Sequence, residues 1–157
     1  INKQNGKGGT ALMDAANQGR ERVVDLLIRH GAEVNLQDSD GDTALMLAAH
    51  YGHERVVELL LQHGADANLQ RSSGGTALMN AAYHGHERVV ELLLQRGAEI
   101  NLQSSDGGTA LMVAATTGHK QVVNLLLRHG AEINKQNSSG DTALIGAAWE
   151  GHERVVE

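Results

Sequence analysis

The sequence predicts an all-α solenoid, in which short helix–turn–helix units stack side by side along one axis. The tripeptide Thr-Ala-Leu recurs every 33 residues, five times, without an insertion between copies. Two segments with helical spacing of apolar residues follow each copy, and a glycine-containing turn leads to the next. Each segment is shorter than the ~12–15 residues that an isolated helix needs, so each unit depends on its neighbours. The repeated threonines are Thr10, Thr43, Thr76, Thr109 and Thr142.

The repeat predicts a single array of five units. Units two and three share 24 of their 33 residues, which is far more than a chance alignment would give. The fifth unit stops after 25 positions, so we expect the array to form part of a longer one. The five units span residues 1–33, 34–66, 67–99, 100–132 and 133–157.

The second unit illustrates how each element is specified. Thr43 is placed as the N-cap of a first helix, and Gly52 separates that helix from a second one. Glu54 lies in the first turn of the second helix, where a negative charge is favourable. Gly64 follows the last turn, where the chain adopts a left-handed conformation. The turn formers of residues 35–42 link one helix pair to the next.

Apolar residues predict the buried face of each unit. Leu45, Ala48 and Ala49 lie at positions i, i+3 and i+4 of the first helix and therefore share one side. The small alanines allow neighbouring helices to approach closely. The apolar stripe of the second helix consists of Val56, Val57, Leu59, Leu60 and Leu61.

The unit TALMLAAHYGHERVVELLLQHGA, which begins at Thr43, resembles the ankyrin repeat in length and pattern. The resemblance covers essentially all 157 residues. It implies L-shaped units whose turns project as β-turn or hairpin fingers beside a concave groove, which the first helices line. It also implies a binding role without a cofactor.

Two positions depart from the family pattern of Thr-Pro-Leu-His. Alanine replaces the proline, as at Ala44, which weakens helix initiation modestly because proline is preorganised for the first helical position. An apolar residue replaces the histidine, so we expect an apolar contact there. These apolar residues are Met13, Met46, Met79, Met112 and Ile145.

Three positions of the unit carry five different residues in five copies, and they predict the binding surface. They lie at i, i+3 and i+4 of the first helix, on the side opposite the core stripe, and the resemblance identifies this side as the groove. The finger turns vary as well. The predicted partner-binding residues are Leu47, His50, Tyr51, Asn80, Tyr83, His84, Val113, Thr116, Thr117, Trp149 and Glu150 on the helices, and Asp38, Asp40, Asp42 and Arg71 on the fingers.

All three aromatic residues of the chain, Tyr51, Tyr83 and Trp149, lie at these variable positions. Tyrosine and tryptophan are enriched among the residues that dominate binding energy at interfaces. The alternative interpretation is that the rings only cover apolar surface between units.

Composition narrows the partner class. The formal charge of −6 repels phosphate backbones, so we expect a protein or peptide partner and no nucleic acid. The chain has no cysteine and no apolar run of 18 residues, so we expect an intracellular protein, cytoplasmic or nuclear, without membrane insertion.

Neither a catalytic residue nor a cofactor or metal site is predicted. The histidines that recur every 33 residues lie roughly 10 Å apart, too far to share one metal ion, so we expect them to cap and order the interhelical turn. A calcium loop from Asp38 lacks the required glycine and glutamate, and Lys7 lacks the serine or threonine of a phosphate loop. The recurring histidines are His53, His86, His119 and His152.

Two other functions remain open at this point. The chain could be a structural spacer that sets distance within a longer array, or an engineered repeat scaffold, since its copies are so alike. A binding module would lose its ligand when the three variable positions change, whereas a spacer would lose nothing.

Overall fold

The computed structural model describes all 157 residues and contains ten helices and no strand. Each unit contributes one helix pair, and the first helices of consecutive units pack on one another, as do the second helices. The predicted all-α stack of helix–turn–helix units is therefore confirmed. The helices are α1 Ala11–Asn17, α2 Glu21–Arg29, α3 Ala44–Tyr51, α4 Glu54–Gln62, α5 Ala77–His84, α6 Glu87–Gln95, α7 Ala110–Thr116, α8 Lys120–Arg128, α9 Ala143–Trp149 and α10 Glu153–Val156.

A threonine caps the start of every first helix, as predicted, and it is buried in the first four units. The Thr43 hydroxyl accepts a hydrogen bond of 3.2 Å from the backbone N–H of Met46, which satisfies one of the free donors at the helix start. Met46 is itself buried, in agreement with an apolar contact at this position, but its counterpart Ile145 in the fifth unit is 48% exposed, so the expectation is wrong there. In the first unit the Met13 sulfur also accepts from the Thr10 backbone N–H, at 3.4 Å.

The core follows the apolar stripes of both helix layers. Leu45, Ala48, Ala49 and Leu60 are all at most 1% exposed. Thirty-five buried apolar residues form one continuous cluster that runs through the stack. Alanines on the first helices keep adjacent units close, while valine and leucine of the second helices supply nine of the twelve largest fully buried side chains.

The recurring histidines connect units, which differs from the expected capping role. The side chain of His86 makes no hydrogen bond at the start of its own helix α6. Instead, its Nε2–H donates to the carbonyl oxygen of His50 in the preceding unit, at 3.0 Å. His53, His119 and His152 make the same bond to a carbonyl 36 residues earlier. We call these four histidines the histidine ladder. Their side chains satisfy carbonyl groups at the ends of the first helices.

The imidazole of each recurring histidine packs against a glycine of the preceding unit, at a position where a side chain would clash with it. Gly52 has a φ of 72°, which disfavours any side chain, and a Cβ placed there would lie 2.6 Å from Nδ1 of His86. The same arrangement pairs Gly19 with His53 and Gly85 with His119. Gly64, after α4, also has a positive φ of 86°, but no atom lies within 4 Å of its Cβ position.

The fingers are turns rather than hairpins with strands. In the second finger the Asp38 backbone N–H donates to the Asp42 carbonyl, at 3.0 Å. Neighbouring fingers are joined by one backbone bond, as from the Ser72 N–H to the Asp40 carbonyl at 2.9 Å. Paired strands need successive bonds of this kind, and each pair of neighbouring fingers makes only one. Glutamine side chains also connect neighbouring fingers. The Gln37 side-chain amide donates to the Gly41 carbonyl in its own finger and to the Gln70 carbonyl in the next one.

Candidate functional site

The predicted binding residues lie on the side of the first helices that faces away from the core. In α5 the core positions Leu78 and Ala81 are buried, whereas Asn80 is half-buried and both Tyr83 and His84 are exposed. The fingers border this side of the helices. We call the side of the first helices, together with the finger turns, the groove.

The three aromatic side chains are open to solvent. Tyr51 is 54% exposed, Tyr83 is 57% exposed and Trp149 is 87% exposed. Tyr51 and Tyr83 have a further unit stacked beyond them, so rings that only filled gaps between units would lose most of this exposure. The structure therefore leaves a large aromatic area uncovered on the groove side.

A central cleft of about 560 Å³ brings together α3, α5, α7 and the third and fourth fingers. His50, Asn80, Tyr83 and His84 supply its helical wall. Arg71 and further polar residues of the fingers supply the opposite wall. These further lining residues include Ser73, Ser104, Ser105 and Asp106.

Two histidines lie edge to face in this cleft. The ring centroids of His50 and His84 are 4.2 Å apart, and the ring of Tyr83 lies 4.9 Å from that of His84. Loss of solvent lowers the pKa of His84, and the neighbouring His50 lowers it further. A neutral imidazole can both donate and accept, so His84 can bond to the backbone of a bound chain.

A second cleft of about 420 Å³ lies between α7, α9 and the fifth finger. Trp149 and Glu150 line it together with Asp141. A Cβ on Gly146 would lie 2.6 Å from the hydroxyl oxygen of Thr116, so the glycine permits close approach of the two helices. The predicted residue Thr116 donates its hydroxyl proton to its own helix, to the Met112 carbonyl at 2.8 Å.

The neighbouring Thr117 likewise donates its hydroxyl proton within α7, to the Val113 carbonyl at 2.8 Å. These two predicted residues therefore offer a partner only acceptor capacity and small apolar methyl groups. Val113 itself lines the central cleft. Leu47 packs against the core with part of its side chain exposed.

The acidic finger residues have unequal environments. Asp38 shapes its own turn, because Oδ1 accepts from the backbone N–H groups of Asp40 and Asp42. Asp40 is exposed at the fingertip. Asp42 lies 3.9 Å from the Arg71 guanidinium, and burial raises the pKa of Asp42 more than this arginine lowers it.

The clefts contain two acids that the predicted set omitted, Asp106 and Asp141. The Ser104 hydroxyl and the Gly108 backbone N–H both donate to Asp106, and these bonds lower the pKa of its carboxyl. The sequence contained a signal for both residues. Asp106 occupies the finger position of Asp40, and Asp141 that of Asp42.

The groove offers exposed surface and hydrogen-bonding groups. The Ser104 hydroxyl donates to the Asp106 carboxylate within its own finger. Nowhere do three or more metal-ligating side chains converge. None of the ten helices combines the length and the apolar character that crossing a bilayer requires.

Comparison with known families gives one result. A family model described as ankyrin repeats (3 copies) matches residues 12–104 and, in a second match, residues 78–157. Together the two matches leave only the first eleven residues uncovered. The comparison with curated proteins gives no match.

Proposed function

This chain belongs to the ankyrin-repeat family, and on that premise we propose that it binds a protein or peptide in its groove. Ankyrin repeats are in general protein-interaction modules, and the family is typically non-catalytic. The finer part of the proposal is the surface: the first helices and finger turns contact the partner, and the second helices do not.

The distribution of variable and aromatic residues carries this proposal. Residues that recur in four of the five units, such as Leu60 and His86, are buried or make bonds between units. The three positions that differ in every unit all lie on the groove side. The chain's only tyrosines and tryptophan are among them and are more than half exposed. Rigid aromatic side chains of this kind supply much of the binding energy at interfaces.

The dimensions of the groove suit a protein partner. Five units spaced at the usual helix packing distance of about 10 Å give a groove roughly 40 Å long. Such a surface can supply the ~800 Å² per partner that a standard interface buries. An extended peptide of about twelve residues would span the same length.

An unbiased peptide library tests the proposal. Random twelve-residue peptides displayed on phage are selected on the whole chain, and the strongest binders are titrated into isotope-labelled protein. We expect the amide shifts that change to cluster on α3, α5, α7, α9 and the fingers. A set of changes confined to α2, α4, α6 and α8 would contradict the groove.

Paired variants then test the aromatic residues. Tyr83→Ala and Trp149→Ala should each weaken a selected peptide by at least about 1 kcal/mol, roughly fivefold, with the unfolding midpoint nearly unchanged. The matched control is Arg55→Ala combined with Arg88→Ala on the second helices, where both arginines are exposed. Unchanged affinity in both aromatic variants would place the site elsewhere, and a spacer would yield no groove-binding peptide at all.

A further inference from the structure

Charge is distributed unevenly between the groove and the rest of the chain. We define the groove segments as the finger tips with the first helices that follow them. These segments contain seven of the 19 acidic residues and two of the 13 lysines and arginines. The other twelve acids and eleven bases nearly balance. The groove segments are residues 5–18, 38–51, 71–84, 104–117 and 137–150.

Ion pairing shows the same asymmetry. Six ion pairs occur in the structure, and five of them lie entirely outside the groove segments. Within these segments only Asp42 is paired, with Arg71 at 3.9 Å. The remaining acids of the groove segments have no cationic side chain within ion-pair distance. These unpaired acids are Asp14, Asp38, Asp40, Asp106, Asp141 and Glu150.

Three of the six unpaired carboxylates line the same clefts as the exposed rings. Asp106 shares the central cleft with Tyr83, and Asp141 and Glu150 share the second cleft with Trp149. Asp106 uses part of its acceptor capacity on Ser104 and Gly108, but a carboxylate has about four lone-pair sites. A cationic side chain can lay its apolar stem or guanidinium face on a ring and bring its charge to a nearby carboxylate.

We propose that the groove recognises an extended segment rich in arginine or lysine, carried by the partner. This proposal rests on the groove being the binding surface and specifies what that surface selects. The fingers of Asp40 and Asp141 are three units apart, about 30 Å, which an extended chain crosses in about nine residues. Basic residues spread over such a segment can therefore meet acids at both ends of the groove while apolar side chains contact the rings.

Electrostatics favours this occupant over an acidic one. Complementary charge raises the association rate and disfavours wrong partners, since like charges brought together cost several kcal/mol. Nucleic acids and anionic lipid surfaces carry the same sign as the groove segments and are disfavoured for the same reason.

Two defined probes and two matched variants test the proposal. One twelve-residue probe contains arginine, leucine and serine, and the second replaces every arginine with glutamate. The groove variant is D40N/D106N/D141N, which keeps side-chain size while removing three charges. The control variant is E54Q/E87Q/E153Q, which removes three exposed and unpaired charges from the second helices. Both variants shift the net charge by the same amount, so only the location of the charges differs.

Binding is measured by fluorescence anisotropy at low and at raised salt, with thermal unfolding as a check that each variant folds. We expect the arginine probe to bind wild type more tightly than the glutamate probe, and more weakly as salt increases. The groove variant should lose about tenfold in affinity for the arginine probe, and the control about twofold or less. Equal losses in both variants, or equal binding of the two probes, would overturn the proposal.

The library selection separates this proposal from the one on which it depends. If selected peptides perturb the groove but contain no more arginine and lysine than the starting library, the groove binds peptides and the basic preference is wrong. If the arginine probe perturbs only the second helices, the basic preference is wrong, and if the selected peptides also perturb only the second helices, both proposals are wrong.

Discussion

The second helices and the groove are two faces of one repeated unit, and they differ in how far their residues recur and in how far their charges are paired. On the second-helix side Arg55 with Glu58, and Arg88 with Glu91, form the same pair at 2.6 Å in successive units. On the groove side the corresponding residues of successive units differ, and most of their charges are unpaired. The comparison shows that recurrence marks what the stack needs, while variation marks what the stack leaves free for a partner.

The largest expected effect comes from the recurrent core. Leu60 is fully buried at the centre of the stack, so Leu60→Ala should lower the free energy of unfolding by about 2–5 kcal/mol, through lost burial and a cavity. Leu26→Ala is the matched control, because this leucine on α2 is 54% exposed. Urea unfolding of both variants measures the difference. If the Leu60 variant were as stable as the Leu26 variant, the placement of Leu60 in the core would be contradicted.

Two glycines with a positive φ differ in whether they contact the next unit, and substituting each one measures the energy of that contact. Gly52→Ala should cost about 2–4 kcal/mol, because the new Cβ meets both a left-handed backbone and the imidazole of His86. Gly64→Ala meets the left-handed backbone alone and should cost about 1–2 kcal/mol. Thermal and urea unfolding of the two variants isolates the contribution of the contact with the next unit. Equal costs would mean that His86 moves aside freely.

The fold was largely predictable from the sequence, because its specification is local and repeated five times. Thr43 as a cap, Gly52 as a stop and Leu60 as core follow from short-range rules, and the structure agrees with each. The role of His86 was predicted only in part, since its acceptor is a carbonyl 36 residues away, which no local pattern reveals.

The site was predictable to a smaller extent. Variation predicts the helical residues of the candidate site, but the acids Asp106 and Asp141 enter the clefts because the fingers lie against the first helices. The alignment of these acids with Asp40 and Asp42 is a signal in the sequence, but the packing that brings them to the clefts depends on neighbouring units and cannot be read within one unit.

Two sets of histidines allow a finer test of the same comparison. His86→Ala removes the bond to the His50 carbonyl and should cost about 1 kcal/mol, since the net contribution of such a bond is about 0.5–1.5 kcal/mol. His84→Ala removes an exposed groove side chain and should change stability by less than about 0.5 kcal/mol. Chemical unfolding should rank the two variants in this order, and a reversed order would contradict the distinction between the histidine ladder and the groove.

The smallest expected effect is the titration of His84. Loss of solvent and the neighbouring His50 lower the pKa of His84, so its imidazole should titrate below its ordinary value of about 6.5 in a proton NMR experiment. His50→Gln should raise the pKa of His84 only part of the way to its ordinary value, because desolvation is the larger cause of the shift.

The pH dependence of stability follows from this shift. At pH values between the folded and unfolded pKa of His84, the unfolded chain binds more protons at this site than the folded chain. Stability from His84 is therefore present above about pH 6.5 and falls as the pH drops through that window. The remaining charged neighbours of His84 are the imidazoles of His86 and His119, which also disfavour its protonation. A His84 midpoint above 6.5, or one that His50→Gln leaves unchanged, would show that the two rings do not share the central cleft as described.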